Sequence, residues 1–215
     1  MSIQLTLPDG SVRSYEDGAT GLDVATSIGA GLARAAVAVT LDGETIDLNR
    51  PIDHDGALSI VTENTEEGRH VLRHSAAHVM AQAVLDLYPG ATYAIGPPIT
   101  DGFYYDFDIG RPFNPEDLER IEARMNEIIE IDQSFVRESL SIDDALEMFS
   151  EHPFKSEIIR GVDEAEGAGA SEVSIYRNDE FVDLCRGPHV PSTGRLKAVK
   201  LMRSAGAYWL SLIHI

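Results

Sequence analysis

The chain has 215 residues and carries 36 acidic against 17 basic side chains, a formal net charge of −19. That length favours two domains over one, and 43% apolar residues suffice to pack a core for each. The acidic total speaks against a general nucleic-acid coat, and a single cysteine, Cys185, excludes a disulfide framework and suits a reducing compartment. MSIQLTLPDG has no signal-peptide character and no apolar run reaches bilayer length, so a soluble, cytoplasmic protein with no membrane partner is expected.

Residues 1–62 read as a small α+β unit. IQLTL and SVRSY flank a Pro8-Asp9-Gly10 turn and form a hairpin. TGLDVATSIGAGLA is a short helix with Leu22, Ala25 and Ile28 on one face and Gly29 as its stop. AAVAVTLDGETIDL is two strands turning at Asp42-Gly43, and ALSIV closes the sheet. Strand, strand, helix and further strands is the order of a β-grasp, ubiquitin-like module.

The acidic connector TENTEEG marks a boundary, with a second α+β domain expected over 63–215. Thr65 caps a helix that Pro89-Gly90 ends. On that helix Leu72, Ala76, Val79, Met80, Ala83 and Leu87 form one stripe, while His74 and His78 share the other face with Ala77, Ala81 and Leu85. No formal charge lies between Arg73 and Asp86, so both faces are expected to be buried, and the small alanines leave room for a pocket. ATYAIGPPITDGFYYDFDIG reads as two aromatic-rich strands around a turn. NPEDLERIEARMNEIIEID is a helix capped by Asn114 with Leu118, Ile121, Met125 and Ile128 inside. SFVRESL is a strand, Ser141 opens a helix to about Glu151, and GVDEAEGAGASE is an acidic loop. VSIYRNDEFVDLC is a hairpin turning at Asn178-Asp179, so the second domain has an antiparallel sheet around a buried central helix.

Two short stretches carry the chemistry. In RHSAAHVM the imidazoles of His74 and His78 sit on adjacent turns of one helix face, a spacing that suits a metal clamp, a catalytic pair or two satisfied core side chains. CRGPH adds Cys185 and His189 on a Gly-Pro turn. Together the four are donors of the types zinc takes, and they serve equally to bind and orient a water for hydrolysis. Asp183, one strand repeat before Cys185, faces the same way. From Leu184 onward there is no acid, and Arg186, Arg195, Lys197, Lys200 and Arg203 make a basic edge that suits a phosphate backbone.

RHSAAHVMAQAV, AIGPPITDGFYYDFD, FVDLCRGPHVPSTG and KLMRSAGAYW resemble the bacterial threonyl-tRNA synthetase family from residue 2 to Trp209. The resemblance implies a TGS domain followed by an editing domain that hydrolyses seryl-tRNA mischarged on threonine tRNA. It implies an editing site of His74, His78, Lys155 (from HPFKSEII), Asp183, Cys185 and His189, and the basic edge, through Arg195, Lys197, Lys200 and Arg203, is then expected to contact tRNA. Tyr104 and Tyr105 either close that pocket or are sheet aromatics. The same four His and Cys positions occur in alanyl-type editing domains, so a zinc-stabilised tRNA-binding module and an alanyl-type trans-editing factor remain as alternatives. After GAYW the family continues into a class II core, whereas this chain reads LSLIHI. ATP binding, the synthetic-site zinc and the homodimer interface are therefore expected of that core rather than of this polypeptide.

Overall fold

A computed structural model describes residues 2–165 and 172–206, the side chains of 162–165 excepted. In the first unit β1 (Ser2–Thr6), β2 (Val12–Glu16), β3 (Ala36–Leu41), β4 (Glu44–Asp47) and β5 (Gly56–Thr62) form one sheet in the order β2-β1-β5-β3-β4. β1 and β5 are parallel and every other neighbouring pair is antiparallel, the β-grasp arrangement. α1 (Gly21–Ile28) starts at a capping box in which Thr20 and Asp23 bond each other's backbone N–H. Its Val24 and Ala25 pack on the sheet with Leu5, Val39, Leu48 and Leu58. Gly29 ends α1 as expected, and a separate short helix, α2 (Ala30–Ala35), follows it; the extended backbone at Gly29 turns the chain between them.

The second unit is built on α3 (Glu66–Leu87), capped by Thr65 Oγ1 accepting from Gly68 N–H at 3.0 Å. Both faces of α3 are buried, as its uncharged run demands. Ala76, Val79 and Ala83 pack against Ile121, Met125 and Ile128 of α4 (Pro115–Ile131), while Ala77 and Ala81 pack against Tyr93, Tyr105 and Phe181. Burying a side chain of the size of those three α4 residues stabilises the fold by about 1.5–3 kcal/mol each. The aromatic segment forms nested two-residue hairpins instead of two long strands. β6 (Thr92–Tyr93) pairs with β9 (Phe107–Asp108), and β7 (Pro98–Ile99) pairs with β8 (Gly102–Phe103). Pro97 and Pro98 lack the N–H that a continuous ladder needs, and Gly96 lies where a Cβ would run into the Tyr105 ring.

β10 (Val136–Ser141), β11 (Glu172–Asn178) and β12 (Phe181–Leu184) form the antiparallel sheet. The β11–β12 turn is Asp179-Glu180, one residue beyond the expected position, because Asn178 still pairs with Phe181 and Asp179 takes the positive φ of 54°. α5 (Ile142–Met148) follows Ser141 and ends earlier than Glu151. α6 (Pro153–Ala165) corrects the expected acidic loop: Gly161–Ala165 are helical, and 166–171 lie outside the described residues. So do the GAYW end beyond Gly206 and the LSLIHI segment. The two units meet along a continuous apolar seam of Val37, Ala38 and Val61 with Val71 and Val190.

Candidate functional site

α3, α6, the aromatic hairpins and the loop after β12 converge on one cluster. The His74, His78, Cys185 and His189 ligand atoms all lie within 4.8 Å of one another. Cys185 Sγ is 3.2 Å from His74 Nε2 and 3.3 Å from His189 Nε2, and it accepts from Gly187 N–H at 3.2 Å. The hydrogen-bond network assigns the tautomers. Ser75 Oγ donates to Val71 O at 2.9 Å, so at 3.1 Å it accepts from His189 Nδ1–H. His74 Nδ1–H donates to Pro188 O at 3.3 Å. Both Nε2 atoms therefore turn lone pairs toward the thiol.

A second, ionic group adjoins this one. Lys155 Nζ sits 2.5 Å from Asp183 Oδ1 and donates to Tyr105 Oη at 3.2 Å, while the Tyr105 hydroxyl donates to Asp183 Oδ2 at 2.5 Å. The ammonium also lies over the Tyr93 ring, 4.8 Å from its centroid. His78 stands between the groups: its Nε2 is 3.5 Å from Asp183 Oδ2, its ring is 4.2 Å from that of His189, and its buried Nδ1 has no partner among the described residues.

Burial governs the titration of these groups. It lowers His74 and His78 to about 3, helped by His78 beside the first and Lys155 beside the second. It drives His189 well below the ordinary imidazole range, with His78 and His74 adding to the effect. The imidazoles are accordingly neutral at physiological pH. The Cys185 thiol is pushed up to about 12 by burial and by the Asp183 carboxylate, so it stays protonated and is a poor nucleophile. So weakly basic an imidazole is an acceptor that orients a water rather than a base that holds its proton. The Lys155 ammonium can polarise a carbonyl, and Asp183 can receive a cationic amine.

The six residues expected to form the site are thus neighbours, and Tyr105 joins them. Tyr104 does not: in the segment between β8 and β9 it is 43% exposed, whereas Tyr105 beside it is buried. The expected basic edge is partly paired. Lys197 and Lys200 meet Glu63 and Glu122 at 2.6 and 2.9 Å, Arg195 donates to Arg34 O, and Arg203 is exposed. Sequence reasoning missed Ser75, Tyr93, Asp47 and Tyr176. Ser75 and Tyr93 stand next to expected motifs, whereas Asp47 lies in the first unit and Tyr176 reads as an ordinary strand aromatic. Cys185 also borders a cavity of about 410 Å³ flanked by Arg137 and Arg186.

The domain model named TGS matches residues 3–62, and that described as the threonyl and alanyl tRNA synthetase second additional domain matches residues 173–207. Over 209 residues the chain is 51% identical to a threonine–tRNA ligase of Paraburkholderia xenovorans, covering 96% of this chain and 32% of that relative. It is 52% identical over 210 residues to one of Rhodospirillum rubrum, with 96% and 32% covered, and 51% identical over 210 residues to one of Pelobacter propionicus, with 97% and 32% covered. The chain spans about a third of the length of the curated relatives it matches.

Proposed function

We propose that the chain, 51% and 52% identical over nearly its whole length to two threonine–tRNA ligases, is a part of such a ligase and that residues 63–215 form an editing domain that hydrolyses seryl-tRNA mischarged on threonine tRNA. Residues 1–62 are its companion TGS domain. The observation that carries this reading is the ammonium of Lys155 held against Asp183 beside three neutral imidazoles, with two Nε2 lone pairs converging on one point. Serine lacks one methyl of threonine, and a missing methyl in a binding pocket gives only about 10- to 200-fold discrimination. A second, tighter site that admits serine and rejects threonine supplies the remaining fidelity.

In this mechanism the cavity beside Cys185 admits the acceptor end of the tRNA. Asp183 receives the α-ammonium of the seryl group, and Lys155 stabilises charge on the ester carbonyl. His74 and His78 orient a water toward the carbonyl carbon. The water oxygen bonds to that carbon, the ester C–O bond to the ribose breaks, and the displaced ribose oxygen ends with the water's proton. Tyr105 holds Lys155 and Asp183 in register through its hydroxyl. Arg195, Lys197, Lys200 and Arg203 contact tRNA phosphates. Exposed ion pairs such as Lys197–Glu63 contribute at most about 1 kcal/mol, so exchanging the carboxylate for a phosphate is inexpensive.

Threonine activation with ATP, the synthetic-site zinc, the homodimer contacts and a place in cytoplasmic protein synthesis belong in this proposal to the whole ligase. A second reading rests on the donor set. Tautomers fixed through Nδ1–H are those a metal ligand needs, so His74, His189 and Cys185, with His78 adjoining, fit a zinc ion, which would tie the helix to the loop. Serine release from charged threonine tRNA, with and without chelator, separates the two. Chelator-resistant hydrolysis of seryl- over threonyl-tRNA supports editing. Stoichiometric zinc, unfolding on chelation and no hydrolysis support a metal-closed binding module. Preference for seryl-alanine tRNA would move the assignment to an alanyl-type factor.

A further inference from the structure

Asp47 ends β4 in the first unit, 142 residues before the histidine it touches. Its Oδ1 accepts from the backbone N–H of His189 at 2.8 Å and its Oδ2 from the Tyr176 hydroxyl at 2.6 Å. Tyr176 is fully buried on β11, opposite Asp183 in the ladder, and its ring lies 4.5 Å from that of His189. The same hydroxyl occupies the space that a Cβ at Gly187 would need, and Gly187 has a φ of +77° that few other residues adopt. One carboxylate from the small sheet thus grips both the loop bearing Cys185 and His189 and the tyrosine on which that loop rests. Arg50 and Arg137 are the cations that face it.

We propose that Asp47 is a positioning residue of the site, holding the Cys185–His189 segment through these two hydrogen bonds, so that the sheet of residues 2–62 is one wall of the working site. The inference rests on the editing reading only for its activity readout. The apolar seam of Val37, Val61, Val71 and Val190 already joins the two units without this carboxylate. A half-buried carboxylate bonded both to the loop and to the tyrosine beneath it adds orientation, which the apolar seam alone does not.

The only cysteine of the chain lies in that loop, which gives a readout independent of any substrate. In the full chain, Asp47→Leu keeps the shape and removes both acceptors, Asp47→Asn can accept from His189 N–H and donate to the tyrosine oxygen, and Val61→Ala weakens the seam elsewhere. Asp47→Leu is expected to raise the iodoacetamide labelling rate of Cys185 about tenfold and to lower kcat for seryl-tRNA about tenfold, with KM within about twofold. Asp47→Asn is expected to stay within about threefold of the parent in both. Val61→Ala is expected to lower Tm while leaving labelling and kcat, measured well below Tm, within about twofold. Asp47→Leu within about twofold of the parent in labelling overturns the proposal, whatever the activity. If Asp47→Leu does not fold, Tyr176→Phe carries the test: labelling raised about threefold supports the proposal and an unchanged rate overturns it. A parent chain that hydrolyses no seryl-tRNA would instead count against the editing reading, and labelling alone would decide on Asp47.

Discussion

Lys155 and Asp183 form an ion pair with Nζ 2.5 Å from Oδ1 and both side chains only 2% exposed. Removing one partner of such a pair strands a buried charge, which costs about 3–5 kcal/mol, whereas replacing both by apolar groups of similar volume is close to neutral. Lys155→Met is therefore expected to destabilise the fold by about 3 kcal/mol in urea melts, and the double variant Lys155→Met, Asp183→Leu to recover most of that loss without recovering hydrolysis. Equal stability of Lys155→Met and the parent would show that the pair carries no buried charge.

Stability should fall with acid because of the three imidazoles. Their pKa values are depressed in the folded state, to about 3 for His74 and His78 and well below the ordinary imidazole range for His189, so protonation favours the unfolded chain. Their stabilisation is complete above the ordinary histidine range, near pH 6.5, and is lost as pH falls toward 3. Each contributes a slope approaching about 1.4 kcal/mol per pH unit in that window. Urea melts at pH 7 and pH 5 are expected to differ by more than about 2 kcal/mol, and equal midpoints and slopes would contradict neutral burial. For the same reason kcat for deacylation should show no imidazole inflection between about pH 6 and 8.

With its thiol pushed up to about 12, Cys185 is expected to act as a hydrogen-bonding wall rather than an attacking group. Cys185→Ser should keep deacylation within about tenfold, and quenched parent reactions should yield no seryl-enzyme in mass spectra. A trapped thioester at Cys185 would reverse this assignment.

Met125 and Ile128 lie at the α3–α4 contact, remote from the histidine face. Met125→Ala is expected to cost about 2–5 kcal/mol in urea melts while leaving kcat within about twofold. A larger loss of kcat than of stability would mean that the position of α3 depends on this contact more than its caps allow.

Much of this architecture is legible in the residues because local signals agree with it. Thr65 and the uncharged run from His74 to Leu85 mark a helix buried on both faces, and Asn114, Pro115 and Asp117 mark the start of α4. α6 escaped although its apolar residues recur at helical spacing, because Gly161 and the acidic, Gly/Ala-rich stretch that follows read as loop. The nested hairpins escaped because the prolines interrupt pairing that the alternation alone would extend. Within the site, motif and resemblance pointed to the side chains that cluster, but spacing could not reveal which far residues hold them. Tyr105 reaches across 78 positions to Asp183 through the packing of the aromatic hairpins on α3, and Asp47 reaches across 142 to His189 over the seam between the two units.

The most direct measurement of the central claim is single-turnover release of serine from seryl-charged threonine tRNA by the parent chain and by His74→Ala, at a temperature where both are folded. The expected result is selective hydrolysis of the seryl over the threonyl ester by the parent and a loss of about 100-fold or more in His74→Ala. Release by His74→Ala within about twofold of the parent would contradict the account.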